Sequence, residues 1–276
     1  MLRVTNLTKR LPDGTVLLNG ITFTVRKGEF VGILGASGAG KSLTMRCIVG
    51  LTSASEGEVA FTGEQGKTYT TTTIKGAELR RARRNIGMIF QGSNLVKRLS
   101  VLENVMVGRL GRINPVRSWL YGFTDREAAE AMDALSRVDM ARFAARRTGS
   151  LSGGEMQRVA IARAIFQRPL CYLADEPIAS LDPKNSLAIM RLLQPLASEH
   201  PILGSFHQPA MTAEFCTRVL GLRNGTIVYD GSPKMSASQL AAIYSQEPNE
   251  ERQSEPQRRP QGPMIGGAVM AAGNPA

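Results

Sequence analysis

Residues 35–42 read Gly-Ala-Ser-Gly-Ala-Gly-Lys-Ser, a glycine-rich segment that ends in an amine and a hydroxyl group. Glycines let the backbone wrap closely around a ligand, so that successive N–H groups point at phosphate oxygens. A helix that begins near Lys41 adds its positive end, Lys41 can reach the β- and γ-phosphates, and the Ser42 hydroxyl can bind Mg²⁺. The apolar run Phe30–Leu34 predicts the buried strand that must precede such a phosphate loop. The predicted triphosphate-binding residues are Gly35, Ala36, Ser37, Gly38, Ala39, Gly40, Lys41 and Ser42.

Two adjacent carboxylates, Asp175 and Glu176, follow a second apolar run at Cys171–Ala174. In an α/β sheet, an acid at the carboxyl end of a strand lies where ligands collect. Asp175 is therefore predicted to hold Mg²⁺, directly or through water, and Glu176 to orient and polarise the attacking water. An isolated Asp-Glu pair is ordinarily a solvated helix start, but the preceding strand and the phosphate loop favour the catalytic interpretation.

A Ser-Gly-Gly turn at residues 152–154 precedes a long helical pattern, Glu155–Phe166. Because the N–H groups at the start of a helix bind anions, Ser152, Gly153 and Gly154 form a second candidate anion site in the same chain. Taken alone, the segment could equally be an ordinary helix cap.

Strand-like and helical patterns alternate along most of the chain, which predicts an α/β fold with a mainly parallel sheet. One helical pattern runs from Lys41 to about Val49, after the glycine-rich turn, and another spans Lys184–Leu196. The strand-like runs are Ile21–Val25, Phe30–Leu34, Glu58–Phe61, Ile86–Phe90, Leu170–Ala174, Ile202–Phe206, Val219–Leu222 and Thr226–Tyr229.

Between residues 94 and 148 the pattern changes to helices without strands, and capping boxes stand at Ser100–Glu103 and Thr124–Glu127. We therefore predict an α/β core at residues 1–93 and 149–247, with a helical subdomain inserted at 94–148. Residues 248–276 are rich in Gln, Pro, Gly, Ala and Arg and are predicted to be disordered.

The charge of the chain is strongly basic and uneven. Lys and Arg number 34 against 23 Asp and Glu, a net charge of +11. Residues 75–147 hold 15 of the basic and 7 of the acidic residues. Such a chain could bind nucleic acid, an anionic membrane surface or a phosphorylated ligand, and composition alone leaves these open. The 3 cysteines are too widely spaced for a disulfide framework or a zinc site, which indicates a reducing, cytosolic location.

The phosphate loop, the carboxylate pair and the segment 151–164 together resemble the ATP-binding-cassette ATPases, and the likeness runs from about residue 1 to 245. The resemblance implies an ABC-type nucleotide-binding domain, with a RecA-like core, an antiparallel N-terminal β subdomain and an inserted helical subdomain. ATP and Mg²⁺ are the implied cofactors. Gln91 matches the glutamine that senses Mg²⁺ and the attacking water, and His207 matches the histidine that contacts the γ-phosphate. A lone histidine would more often be structural, but His207 follows a strand-like run, as the resemblance requires.

The resemblance also implies partners. In the family, two copies close head-to-tail around two ATP molecules, so that residues 152–154, the signature, bind the γ-phosphate held by the other copy. Residues 180–182 match the loop that joins the two sites. Gln91 and the helical subdomain would form the groove that receives a helix of an integral-membrane permease, with a periplasmic substrate-binding protein as an indirect partner. The implied location is the cytoplasmic face of the inner membrane, and no nucleic acid is expected.

The family usually carries an aromatic residue that stacks on adenine, and that position falls at Leu11, with Val16 as the accompanying apolar residue. Leucine offers apolar contact without π-stacking, so we expect GTP to be tolerated more than usual.

Residues 94–105 and 177–183 resemble the ATP-binding subunits of bacterial phosphonate importers, and Trp119 and Phe123 fit this pattern. The resemblance implies an ATPase that energises phosphonate uptake. Phosphite or hypophosphite importers share much of the pattern and remain an alternative. An exporter or lipoprotein-release subunit is a further alternative, as is a soluble cassette ATPase that acts on nucleic acid or ribosomes.

Overall fold

The computed structural model describes residues 1–63, 66–113 and 122–245. A six-stranded sheet has the order β10-β9-β3-β8-β7-β6, in which only β10 runs antiparallel to its neighbour. A separate antiparallel sheet has the order β2-β1-β4-β5. The strands are β1 Leu2–Arg10, β2 Val16–Val25, β3 Phe30–Leu34, β4 Glu56–Thr62, β5 Thr68–Thr70, β6 Ile86–Ile89, β7 Cys171–Asp175, β8 Ile202–Ser205, β9 Arg218–Arg223 and β10 Thr226–Gly231.

The central strands of the parallel sheet are buried along their whole length. Every residue of β3, β7 and β8 is buried, as expected for strands covered on both faces. The parallel strands and their apolar runs confirm the sequence prediction of an α/β fold. The prediction omits β1 and β5, whose polar residues interrupt the apolar pattern.

Helices cover the strands and carry the start signals that the sequence predicts. Ser100 and Thr124 each form a complete capping box, with Glu103 and Glu127 respectively. The sequence pattern misses α2, because its N-cap Lys75 makes no side-chain cap. The helices of the described residues are α1 Lys41–Ile48, α2 Gly76–Arg83, α3 Val101–Met106, α4 Asp125–Ser136, α5 Gly153–Phe166, α6 Pro183–Leu193, α7 Pro209–Phe215 and α8 Ala237–Tyr244.

Helices α3, α4 and α5 pack on one another, and their buried residues belong to the same apolar cluster as Phe30 of β3 and Tyr172 of β7. The helical segment is therefore continuous with the sheet through α5. The division into a core and a helical subdomain at residue 94 stays a prediction. The predicted disordered tail at 248–276 and Trp119 lie outside the described residues.

In the part of the chain that the structure describes, no helix combines the length and apolar character needed to cross a membrane.

Candidate functional site

The predicted phosphate loop connects β3 to α1 and depends on glycine at two places. Gly40, the residue before α1, has φ +105°, a left-handed conformation that favours glycine. A Cβ on Gly35 would lie 2.3 Å from the carbonyl oxygen of Leu222, so only glycine fits there. Lys41 Nζ donates hydrogen bonds to the carbonyl oxygens of Gly35 at 2.7 Å and Ala36 at 3.0 Å. These bonds curl the loop around the ammonium group.

The Lys41 side chain is almost fully buried, at 5% exposure. Burial lowers its pKa, and the negative charges of Glu176 and Asp175 act in the opposite direction. Its hydrogen-bond partners are neutral carbonyl groups, and the first turn of α1 contains no acidic residue. A phosphate at this helix start would supply the counter-charge.

The structure brings Ser42 and Asp175 together, as the sequence predicts. Ser42 Oγ donates to Asp175 Oδ1 at 2.9 Å, and Ser205 Oγ donates to the same oxygen at 2.8 Å. Ser205 is fully buried and also accepts a hydrogen bond from the backbone N–H of Glu176 at 2.9 Å. Ser205 is not among the site residues predicted from the sequence. Its signal is the register of the sheet, because Ser205 on β8 pairs with Asp175 on β7.

The donor set at this point fits Mg²⁺. Ser42 and Asp175 present a hydroxyl and a carboxylate oxygen, the hard ligands that Mg²⁺ prefers, and this ion is usually held by one or two carboxylates together with phosphates and water. Within the described ranges, no group of three or more His, Cys, Asp or Glu residues could hold a metal by itself.

Glu176 lies at the centre of a hydrogen-bonded cluster. Its Oε2 accepts from Gln91 Nε2 at 3.0 Å, and its Oε1 lies 2.6 Å from His207 Nε2. Glu176 has φ +47°, so its backbone turns sharply just after β7. The three predicted catalytic residues therefore meet beside the phosphate loop. Gln91 as a metal ligand stays a prediction.

Gln91 begins a loop that α5 holds in place. Gly92, Ser93 and Asn94 follow with φ +73°, +66° and +46°, three successive left-handed residues. Ser93 Oγ donates to Gln157 Oε1 at 2.7 Å, and both side chains are buried.

A second residue of α5 binds the backbone of the same loop. Arg163 donates to the carbonyl oxygens of Ser93 and Asn94, each at 2.8 Å. Burial lowers the pKa of Arg163. Gln157 and Arg163 lie in the predicted helix Glu155–Phe166, and the sequence pattern gives neither of them this role.

The signature is a capped helix start. Ser152 is the N-cap of α5, and its Oγ accepts from the backbone N–H of Glu155 at 3.3 Å. The Glu155 carboxylate accepts in return from the backbone N–H of Ser152 at 2.8 Å, and this hydrogen bond is the largest cause of its lowered pKa. Among the described residues, no hydrogen bond joins residues 152–154 to the phosphate loop.

The signature adjoins the loop before α6 instead. A Cβ on Gly154 would lie 3.0 Å from the side chain of Asn185. Asp182, the N-cap of α6, accepts hydrogen bonds from the backbone N–H of Asn185 at 3.0 Å and from its Nδ2 at 2.5 Å. Ser180 in this loop has φ +64°. The structure thus places the signature and residues 180–182 side by side.

A pocket of about 360 Å³ adjoins the phosphate loop, and Leu17, Glu176 and His207 line it with residues of that loop. Leu11 and Val16 are 37% and 40% exposed and are not among its lining residues. Their predicted contact with the base stays a prediction. Leu17 is an apolar lining residue that the sequence analysis misses.

Comparisons with known proteins agree with this geometry. The sequence model of the family described as ABC transporter matches residues 18–179. The chain is 44% identical over 250 residues to phosphonates import ATP-binding protein PhnC 2 of Synechococcus sp. (strain JA-2-3B'a(2-13)), covering 90% of this chain and 91% of that relative. It is 42% identical over 249 residues to phosphonates import ATP-binding protein PhnC of Bordetella parapertussis, covering 89% and 97%.

Solved structures give the same answer for the fold. The dimeric structure of MJ0796, a bacterial ABC transporter cassette, superposes with a TM-score of 0.70 at 31% identity, over 86% of this chain and 100% of that one. The predicted ABC-type α/β fold is confirmed. Because the family model covers more than half of the sequence, this chain belongs to the ABC transporter family, as an ATP-binding and ATP-hydrolysing cassette.

Proposed function

We propose that this chain is the ATP-hydrolysing subunit of a bacterial importer of phosphonates, bound at the cytoplasmic face of the inner membrane to a permease. The observation that carries hydrolysis is the cluster of Gln91, Glu176 and His207 beside the phosphate loop. The substrate class rests on the relatives, which are named as phosphonates import proteins and match about nine-tenths of the chain.

The reaction needs a water molecule aligned with the γ-phosphate. Glu176 accepts the proton of that water through a carboxylate oxygen, and Gln91 orients the same water. Lys41 and His207 stabilise the negative charge that develops on the phosphate oxygens. Mg²⁺, held by Ser42 and Asp175, would neutralise part of the phosphate charge. Both oxygens of Glu176 are now engaged by Gln91 and His207, so productive binding of ATP must redirect at least one of these contacts.

A second copy of the chain completes the site. The signature lies at a helix start beside residues 180–182 and makes no hydrogen bond to the phosphate loop of its own chain within the described residues. Free N–H groups at the start of α5 suit the γ-phosphate of an ATP held by another copy. The similar cassette MJ0796 is described as dimeric, and in one structure as bound to ADP and Pi. Closing and opening of such a dimer would move the attached permease.

The transported solute touches no residue of an ATPase subunit, so a test in cells is needed. We expect a strain in which this gene is deleted, and which has no other uptake system, to fail to grow on a phosphonate as sole phosphorus source and to grow normally on phosphate. The wild-type gene should restore growth, and Glu176→Gln should not. Normal growth of the deletion strain on phosphonate would contradict the proposed substrate, and a defect confined to phosphite or hypophosphite would reassign it.

A further inference from the structure

A pocket of about 260 Å³ lies between α2 and the 3-10 helix at residues 107–112. It is separate from the phosphate loop and shares no lining residue with the pocket there. Four of its seven lining residues are arginines, much of its exposed wall is apolar, and no carboxylate lines it in the described part of the chain. Its lining residues are Arg80, Arg83, Arg84, Gly108, Gly111, Arg112 and Gln167.

Neutral oxygens hold the guanidinium groups of this pocket. Arg112 Nη2 donates to the carbonyl oxygens of Arg84 at 2.7 Å and Arg168 at 3.3 Å. Arg83 donates through Nη2 to the carbonyl oxygen of Gly50. Carbonyl groups fix the positions of these side chains but leave their positive charges uncompensated.

One carboxylate of the helical segment is already engaged by other arginines. Glu130 on α4 forms ion pairs with Arg109, Arg126 and Arg168, none of which lines the pocket. Glu78 lies on α2 but is not among the lining residues, so the four arginines of the wall face the pocket without a carboxylate in it.

Two further observations favour anion binding at this pocket. Arg84 Nε is buried and has no hydrogen-bond partner among the described residues. The pKa of Arg112 is lowered, chiefly by burial and then by the like charges of Arg109 and Arg84. A bound anion would relieve the repulsion at Arg112, and it would pair with Arg84 Nε once the Arg84 side chain turns toward the pocket.

We propose that Arg80, Arg83, Arg84 and Arg112 form a binding site for a phosphate-type oxyanion, independent of the transported solute. The planar fork of arginine matches phosphate geometry, and a tetrahedral oxyanion can accept from guanidinium groups on several walls at once. A carboxylate, with two oxygens, would satisfy one such fork. The volume of about 260 Å³ admits a phosphate group together with water. That group belongs either to a lipid headgroup or to a soluble phosphate compound.

The full-length chain with its nucleotide site saturated by Mg²⁺ and a non-hydrolysable ATP analogue, which also fills the γ-phosphate position, allows the pocket to be tested alone. Inorganic phosphate is titrated while the melting temperature is followed. The pocket variant is Arg80→Gln with Arg84→Gln, and the matched control is Arg3→Gln with Arg191→Gln, two exposed arginines outside the pocket. Each arginine should contribute about fivefold to the affinity for phosphate. The pocket variant, which lacks two, should therefore bind phosphate ~25-fold more weakly than the control.

Co-sedimentation with vesicles identifies the source of the phosphate. Binding to vesicles of phosphatidylcholine with phosphatidylglycerol, lost in the pocket variant and displaced by inorganic phosphate, would assign a lipid headgroup. Binding of inorganic phosphate without vesicle binding would assign a soluble compound. Equal binding by the pocket and control variants in both assays would overturn the proposal. So would a loss of permease association with unchanged phosphate and vesicle binding, because the arginines would then serve a protein contact.

Discussion

Two loops approach the triphosphate, and they are held in different ways. The phosphate loop is stabilised from within, since Lys41 binds carbonyl oxygens of the loop itself and Gly40 adopts its left-handed φ without a Cβ. The loop after Gln91 is held from outside, by Gln157 and Arg163 of α5. The phosphate loop is therefore a fixed platform, whereas the position of Gln91 depends on a helix that begins at the signature.

Helix α5 sets the conformation of this second loop. A left-handed conformation in Ser93 and Asn94 costs of the order of 1 kcal/mol for each residue, whereas the hydrogen bond from Ser93 contributes about 1 kcal/mol and the two from the charged Arg163 about 1.5–3 kcal/mol each. The contacts with α5 outweigh the backbone strain, so a movement of α5 would carry the loop with it. Engagement of the signature by ATP on a second copy would supply such a movement.

The largest expected effect concerns the residue that both loops face. Glu176→Gln should lower the rate of ATP hydrolysis about a thousandfold, since a general base contributes 10²- to 10⁴-fold. ATP should still bind, because the phosphate loop is unchanged. Phosphate release measures the first effect and gel filtration with ATP the second. Glu214→Gln, on exposed α7 surface, is the control. Undiminished turnover by Glu176→Gln would contradict the role given to this carboxylate.

Lys41→Met tests the role of the phosphate loop in binding ATP. Loss of charge-assisted hydrogen bonds to the phosphates should weaken ATP binding by about a hundredfold, measured by calorimetry.

The same substitution should change how the stability of the ATP-free protein depends on pH. Because the folded state holds the Lys41 proton more weakly than the unfolded chain, the wild-type free energy of unfolding should rise as the pH increases through the lowered pKa toward 10.5. Lys41→Met should lack this part of the pH dependence. If the free energy of unfolding depended on pH identically in both proteins, burial of the Lys41 amine would have no effect on stability.

Sequence reasoning succeeds at the first loop and fails at the second for a physical reason. The backbone wrap of residues 35–41, the carbonyl contacts of Lys41 and the helix that follows are local, so spacing along the sequence predicts them. Ser205 and Gln157 act on residues that are distant in the chain, through strand register and helix packing. Leu11 and Val16 are predicted to contact the base, but Leu17 is the residue that lines the pocket. Sequence spacing does not show this, because the face of β2 that meets the pocket depends on how the strand pairs in the sheet.

Ser205→Ala should have an intermediate effect on kcat. Ser205 donates a hydrogen bond to Asp175 and accepts one from the backbone N–H of Glu176. Removing a hydrogen bond to a buried carboxylate costs about 1.5–3 kcal/mol, so kcat should fall about tenfold to a hundredfold. Ser205→Thr keeps the hydroxyl group and should retain more activity. Equal kcat values for wild type and Ser205→Ala would show that Asp175 is positioned by Ser42 and bound Mg²⁺ alone.

The smallest expected effect on kcat comes from Ser93, whose contact with α5 distinguishes the second loop from the phosphate loop. Ser93→Ala removes the hydrogen bond to Gln157, which is worth about 0.5–1.5 kcal/mol, so kcat should fall about twofold to tenfold. KM for ATP should stay unchanged, because the phosphate loop is untouched. A merely destabilised protein would not show this split.

Ser93→Asn is the matched variant, because asparagine tolerates a left-handed φ and can donate a hydrogen bond to Gln157. It should recover much of the lost kcat. A double-mutant cycle of Ser93→Ala with Gln157→Leu then measures the coupling energy between these two side chains. If they act only through their hydrogen bond, kcat of the double variant should be no lower than that of Gln157→Leu alone. Additive losses would mean that Ser93 and Gln157 act independently, and that α5 controls Gln91 through Arg163 only.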